Sequence, residues 1–154
     1  MSITINTNIN GKTVSASAEA SASLLEFLRD TLEYKGTKLC CNTGECGACT
    51  VIYNGKPINS CVTMAADANG AEITTIEGLA DGDKLHPVQQ AFIDTGAVQC
   101  GYCTPGYIMS VKSLLDRTKK PTQTDIEEAV SGNICRCTGY TKIVDAILLA
   151  AQKL

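Results

Sequence analysis

Nine cysteines give this chain of 154 residues its most specific chemistry. Eight of them fall into two groups of four, and the ninth, Cys40, lies directly beside the first group. Thiolates are good metal ligands, and an odd number of cysteines cannot all be paired in disulfides. We therefore expect two metal centres. The first group is Cys41, Cys46, Cys49 and Cys61, and the second is Cys100, Cys103, Cys135 and Cys137.

The first group has the spacing C-x4-C-x2-C, followed after eleven residues by the fourth cysteine. This is the plant-type ferredoxin arrangement for a [2Fe–2S] cluster, in which a loop surrounds the cluster and a remote ligand ties that loop to a sheet. Gly44 and Gly47 allow the loop to turn its amides toward an anionic cluster, because glycine tolerates a positive φ. A zinc site would normally use two C-x2-C pairs, and only one is present here.

The second group consists of a C-x2-C motif and a C-x-C motif, separated by 31 residues. Each motif precedes a predicted helix, and the partial positive charge at a helix N-terminus favours thiolates and anionic clusters. The spacing alone does not distinguish a [2Fe–2S] cluster from zinc or a [4Fe–4S] cluster.

Composition narrows the functional classes. The net charge is −3 without a basic stripe, which argues against a nucleic-acid partner. The N-terminal residues lack the pattern of a signal peptide, and no apolar run is long enough to span a membrane. We expect a cytoplasmic protein, in which thiols stay reduced and are more suited to metal binding than to disulfides.

The elements that must position the cysteines differ between the two halves. In the first half, short apolar strands flank Asn-Gly turns at residues 10–11 and 54–55, a helix is capped by Ser21 or Ser23, and a last strand covers residues 72–76. The segment between that helix and Cys49 reads as a loop. The pattern predicts a sheet domain over residues 1–80.

The second half, residues 81–154, is predicted to be helical. Pro87 and Pro105 each open a helix, with His86, the only histidine, acting locally as a cap or turn residue. A third helix is expected to be capped by Thr124 or Asp125 and a fourth by Thr141. The second cysteine group would then lie at helix ends.

Together these motifs resemble the small iron–sulfur subunit of the molybdenum hydroxylase family, which includes xanthine dehydrogenase and aldehyde oxidase. The motifs run in the family's order along nearly the whole chain. They are Gly36-Thr-Lys, Gly44-Glu-Cys-Gly-Ala-Cys-Thr50, Ser60-Cys61, His86-Pro-Val-Gln89, Gln99-Cys-Gly-Tyr-Cys-Thr-Pro-Gly106 and Cys135-Arg-Cys-Thr-Gly-Tyr140.

The resemblance implies an α+β protein, with an N-terminal plant-ferredoxin-like β-grasp domain followed by a C-terminal four-helix bundle. It implies that both centres are [2Fe–2S] clusters. It further implies a large partner subunit carrying molybdopterin, next to the helical-domain cluster, and often a medium subunit carrying FAD. By the same resemblance, Gln99 would hydrogen-bond the pterin, and Cys137 would lie on the path from pterin to cluster.

One position departs from the family pattern, which usually has glycine where this chain has Cys40. By the ligand count Cys41 remains the ligand. We interpret Cys40 as a buried, unreactive thiol that fills space; a substitute ligand or a redox residue is the alternative.

No catalytic base or oriented nucleophile is evident, so we expect no catalytic residue in this chain. The hypothesis is an electron-transfer subunit that passes electrons from a molybdenum centre through two [2Fe–2S] clusters to FAD or another acceptor. The substrate would be an N-heteroaromatic compound, purine-like or nicotinate-like, or an aldehyde. Two alternatives remain, a freestanding two-cluster ferredoxin and a zinc-stapled interaction module.

Overall fold

The computed structural model describes residues 1–154, with a mixed five-stranded sheet in the first half. The sheet order is β2-β1-β5-β3-β4; β1 and β5 are parallel, and the other neighbouring pairs are antiparallel. The strands are β1 (Ser2–Ile9), β2 (Lys12–Glu19), β3 (Thr50–Tyr53), β4 (Lys56–Asn59) and β5 (Glu72–Thr74). The last strand is thus shorter than the sequence predicts.

Both predicted Asn-Gly turns are confirmed. Asn10 and Gly11 have φ values of 54° and 76°, and Asn54 and Gly55 have φ values of 46° and 78°. Two consecutive residues with positive φ match the right-handed twist of the paired strands, which is why Asn-Gly closes tight hairpins. The second hairpin, β3–β4, sets the position of the strand that follows Cys49.

The helix of the first half begins as predicted at Ser23, whose hydroxyl accepts from the Glu26 amide while the Glu26 carboxylate accepts from the Ser23 amide. This capping box starts α1 (Leu24–Glu26), but the chain then widens into one π-helical turn over Phe27–Thr31. Phe27 and Leu28 are nevertheless fully buried against the sheet. The sequence therefore predicts where this helix begins but not the π turn.

Four further helices follow in the second half: α2 (Pro87–Asp94), α3 (Thr104–Arg117), α4 (Gln123–Val130) and α5 (Thr141–Lys153). His86 caps α2 as expected, since its Nδ1 accepts from the Val88 amide at 3.2 Å. Two expected caps are wrong. Thr122, not Thr124 or Asp125, caps α4 through a box with Asp125. Tyr140 precedes α5 with a φ of 71° and no side-chain cap, so Thr141 is the first helical residue.

The helical half has its own buried core, to which Phe92, Leu115 and Ile147 contribute, and α2 packs against α5 while α3 packs against α4. α3 also packs on β3 and so joins the two halves. Ile76 and Leu79 reach into the helical core from the sheet side. The boundary between residues 80 and 81 stays a prediction. None of the helices has the length and apolarity that a membrane span requires.

Candidate metal centres

The first cysteine group is assembled from a loop, a strand entrance and a turn. Cys41 and Cys46 lie in the loop between α1 and β3, Cys49 directly precedes β3, and Cys61 lies in a 3₁₀ turn after β4. Cys49 and Cys61 are buried together against Leu25. The β3–β4 hairpin therefore brings the remote Cys61 beside the loop, as the sequence predicts for a fourth ligand.

The loop turns backbone amides toward sulfur. The amides of Thr43 and Cys46 each donate to Cys41 Sγ at 3.4 Å. Gly44 and Gly47 have φ values of 82° and 67°, which confirms that the loop needs glycine at these turns. Hydrogen bonds from Thr43, and then from the Cys46 amide, lower the pKa of Cys41 to about 5. Such donors stabilise a thiolate and would equally stabilise sulfur bound to iron.

The buried side of this group behaves differently. Burial raises the pKa of Cys61 to about 12, and the adjacent Cys49 adds to the effect. Burial also raises the pKa of Cys46. Thiols this close together resist ionising without a cation between them, because each thiolate repels the next. Iron would supply that positive charge, so the donor set fits a cationic metal core.

The second group meets at the junction of the two halves. Cys100 and Cys103 lie in the turn before α3, while Cys135 and Cys137 lie before α5. All four thiols line one cavity of about 190 Å³. The other residues that line it are Cys40, Cys46, Ala48, Tyr102, Ile134 and Arg136. The structure thus brings together the two motifs that are 31 residues apart in sequence.

The thiols of the second group also differ in the direction in which their pKa values are shifted. Burial alone would raise the pKa of Cys135, but hydrogen bonds from the Thr138 hydroxyl at 3.1 Å and amide at 3.4 Å bring it below its usual value. Burial raises the pKa of Cys103 to about 12, with Cys135 and Cys100 adding to it. A hydrogen bond shared with Cys100 raises the pKa of Cys137.

The spacing of the sulfurs bears on the type of metal. Cys137 Sγ and Cys100 Sγ are 3.6 Å apart, close to the roughly 3.8 Å that separates two thiolates bound tetrahedrally to one metal at about 2.3 Å. No three metal-ligating side chains converge tightly enough to hold a single ion. A two-iron cluster spreads its four thiolates over two metal atoms and therefore fits this arrangement better than one zinc ion.

Three further residues from the sequence analysis are placed as follows. Gln99 and Cys137 are exposed, so both are accessible from outside the chain. Cys40 is also exposed, and the interpretation of a buried, space-filling thiol is wrong. Its φ is not positive, so this position accepts a side chain without strain where the family pattern has glycine.

The contact between the two groups was not predicted. The amide of Ile134 donates to the carbonyl of Cys46 at 3.0 Å. Cys46 belongs to the first group, and Ile134 directly precedes Cys135 of the second. No local sequence signal reports this hydrogen bond, because it depends on how the two halves pack.

Comparisons with known proteins agree with this two-part arrangement. Residues 7–77 match the "2Fe-2S iron-sulfur cluster binding domain" model, and residues 75–148 match the "[2Fe-2S] binding domain" model. The chain is 48% identical over 151 residues to the nicotinate dehydrogenase small FeS subunit of Eubacterium barkeri, covering 98% of this chain and 96% of the relative.

Solved structures give the same picture. A chain of quinoline 2-oxidoreductase from Pseudomonas putida 86 superimposes with a TM-score of 0.95 at 40% identity, covering 98% of this chain and 94% of the other. The aldehyde oxidoreductase of Desulfovibrio gigas superimposes with a TM-score of 0.92 at 43% identity. There the match covers 97% of this chain but only 17% of the longer chain.

Proposed function

The chain belongs to the family of small iron–sulfur subunits of molybdenum hydroxylases, and we propose that it carries electrons from a molybdenum centre on a large partner subunit to an acceptor. It is a subunit of an oxidoreductase whose substrate chemistry takes place on a partner. Its domains are of the [2Fe–2S]-binding type. When bound, each [2Fe–2S] cluster takes up and releases one electron at a time.

The proposed ligands of the two clusters are the two cysteine groups. In the first, two backbone amides donate to Cys41 Sγ, and Cys49 and Cys61 are buried. Both observations support a cluster held within this chain. In the second, the shared cavity and the close Cys100–Cys137 pair support a cluster at the junction. Both ligand sets are proposals, as are a β-grasp domain over residues 1–80 and a four-helix bundle over residues 81–154.

The observation that carries the proposal is the hydrogen bond from the Ile134 amide to the Cys46 carbonyl. It joins the backbone of one proposed ligand to the residue next to another, Cys135. Electron-transfer rates fall steeply with distance, so two ligand-bearing segments in direct contact support transfer between the two sites. A pair of structural metal sites would not need such contact.

The exposed side of the second site supports a direction for the electrons. Cys100 and Cys137 are exposed, and Gln99 beside them is exposed as well. We assign this face to the molybdopterin-bearing large subunit, with Gln99 as a hydrogen-bond partner of the pterin and Cys137 on the entry path. The first site would then face the acceptor, for which FAD on a medium subunit is the candidate.

The names of the relatives guide the proposed substrate class. They include nicotinate dehydrogenase, nicotine 6-hydroxylase and quinoline 2-oxidoreductase. We propose a nicotinate-like N-heteroaromatic substrate for the assembled enzyme, with a purine or an aldehyde as the alternatives.

The test is isolation of the native protein under mild conditions, followed by size-exclusion chromatography, metal and flavin analysis, and electron paramagnetic resonance (EPR) after reduction. We expect co-elution with a much larger chain, visible absorbance, molybdenum, and two distinct EPR signals. Elution of this chain alone with both clusters would favour the freestanding ferredoxin. A colourless, EPR-silent protein would favour zinc.

The substrate class is tested on the same complex without an added acceptor. Nicotinate, a purine and an aldehyde are mixed with it separately, and bleaching of the visible absorbance reports reduction. We expect nicotinate to bleach the complex fastest, and fastest bleaching by the purine would favour the purine alternative. Bleaching by the aldehyde alone would overturn this part of the proposal and leave the electron-transfer role intact.

A further inference from the structure

A second contact between the two halves lies beside the Ile134–Cys46 hydrogen bond. The carbonyl oxygen of Gly47, the residue after Cys46, accepts from the side-chain amide of Asn133 at 3.0 Å. The same oxygen accepts from the Thr50 hydroxyl at 2.7 Å and from the Thr50 amide at 3.2 Å. One buried carbonyl of the first cysteine loop is therefore fixed by donors from both halves of the molecule.

Asn133 is itself held on every side. It is 6% exposed, its Oδ1 accepts from the Ser110 hydroxyl at 2.7 Å, and its carbonyl accepts from the Tyr107 hydroxyl at 2.5 Å. The backbone amide of Asn133 donates to the Val130 carbonyl at 2.9 Å. Because the Gly47 carbonyl can only accept, the NH₂ end of Asn133 must face it. A buried side chain with all its polar groups paired in this way occupies one position.

Two glycines let the backbones of the halves approach each other. A Cβ on Gly106 would lie 2.1 Å from the Gly47 carbonyl oxygen and 3.1 Å from Ala48 Cα. A Cβ on Gly47 would lie 2.4 Å from both Asn133 Nδ2 and the Gly132 carbonyl oxygen. The obstructing atoms are largely backbone, which cannot move aside cheaply. A single methyl group at residue 106 would therefore require the backbone around Gly47 to move away from α3.

We propose that Asn133, Gly47 and Gly106 form a clasp that sets the distance between the two iron–sulfur sites, and with it the rate of electron transfer between them. Asn133 lies two residues before Cys135, and Gly47 lies between Cys46 and Cys49, so a shift at the clasp moves one cysteine-bearing segment relative to the other. This inference rests on the proposed function, in which each site holds a [2Fe–2S] cluster. In each transfer step one electron passes from the helical-half site to the sheet-half site. The helical-half site is oxidised, and the sheet-half site is reduced.

The clasp residues are positioning residues, since the hydrogen bonds of Gly47 and Asn133 go to backbone, hydroxyl and amide groups and none goes to a cysteine sulfur. Their effect should therefore appear in quantities that depend on the distance between sites. One is the magnetic splitting between the two reduced clusters in EPR, which weakens with the cube of their separation. The other is the rate at which the second signal follows the first after rapid mixing with reductant. The reduction potential of each cluster should not change, because its sulfur hydrogen bonds remain.

The experiment compares Gly106→Ala with Gly132→Ala in the assembled complex. Gly132 is exposed, and a Cβ there would meet nothing within 4 Å, so its variant is the matched control. We expect Gly106→Ala to keep both signals and both potentials, to weaken the splitting, and to slow transfer between the sites several-fold. Gly132→Ala should behave as wild type.

A second variant covers the case in which the added methyl group prevents assembly. Asn133→Ala removes atoms instead of adding them and breaks the hydrogen bond to Gly47; it should also weaken the splitting and slow transfer. Wild-type splitting and rate in a variant that keeps both clusters would overturn the clasp. Loss of a cluster in both variants would also overturn it, since the residues would then serve assembly rather than distance. A wild-type complex lacking two signals would instead contradict the proposed function.

Discussion

The two cysteine sites differ in how far this chain encloses them. In the sheet half, Cys49 and Cys61 are only 3% and 8% exposed, and Cys41 and Cys46, which lie in the glycine-bearing loop, are half-buried. In the helical half, Cys135 is buried, but Cys100 and Cys137 face outward side by side. The cause lies in the supporting elements, since a loop can wrap around a cluster whereas ligands at two helix entrances leave one side open.

The difference suggests that the two sites divide the work. A site closed by its own loop keeps its hydrogen bonds and burial whatever is bound outside, so its potential is set by this chain. An open site is completed by whatever covers it. Under the proposed function, the open face is the entry point for electrons from a partner, and the more enclosed site is the point from which they leave.

The largest expected effect comes from removing one buried cysteine of each proposed ligand set. Cys49→Ala should abolish the sheet-half cluster and Cys135→Ala the helical-half cluster, because each removes a buried thiol from its group of four cysteines. Each variant should lose half of its iron and one of the two EPR signals. The other variant serves as the control for each, since both change one buried cysteine.

This test also shows whether each half can fold and hold its cluster when the other cluster is missing. The two halves have separate buried cores, so loss of one cluster should leave the other half folded. If either variant lost both signals, the sites would have to be regarded as one cooperative unit.

Much of the local architecture followed from sequence because its causes are local. Asn10-Gly11 and Asn54-Gly55 close hairpins through their own backbone preferences, and Ser23 caps α1 through a partner three residues away. The spacing of Cys41 and Cys46 likewise predicts a loop that surrounds a metal cluster. Each of these signals is complete within a few residues.

Other features were missed for identifiable reasons. The cap at Thr122 was overlooked although the Thr-x-x-Asp pattern with Asp125 is readable in the sequence. The π turn at Phe27–Thr31 has no such signal. The bond from Asn133 to Gly47 joins residues 86 positions apart, and it exists only because α3 packs on β3. The exposure of Cys40 could not be inferred from its residue type, because free cysteines are usually buried.

A smaller effect is expected from the hydrogen bonds to sulfur in the open site. Thr138→Val removes the hydroxyl that donates to Cys135 Sγ at 3.1 Å. A donor to sulfur stabilises the more negative reduced cluster, so its loss should lower the potential of the helical-half cluster. One hydrogen bond of about 1 kcal/mol corresponds to about 40 mV for a one-electron couple, which is the expected upper limit.

The control for this prediction is Thr138→Ser, which keeps the hydroxyl and should leave the potential unchanged. Potentiometric titration followed by EPR measures both clusters in one sample. The sheet-half potential should stay constant in both variants. An equal shift of both potentials would show that the two sites share one electrostatic environment, against the division described above.

The smallest effect is expected at Cys40, which belongs to both regions by position. It precedes Cys41, a proposed ligand of the first site, yet it lines the cavity of the second group. Cys40→Gly should leave the iron content and both EPR signals unchanged, because the exposed thiol is replaced by the residue that the family pattern has there.

Cys41→Ala, with Cys40 intact, should lose the sheet-half signal. Retention of that signal would show that Cys40 can take over as ligand, and loss of the helical-half signal in Cys40→Gly would instead assign the thiol to the open site.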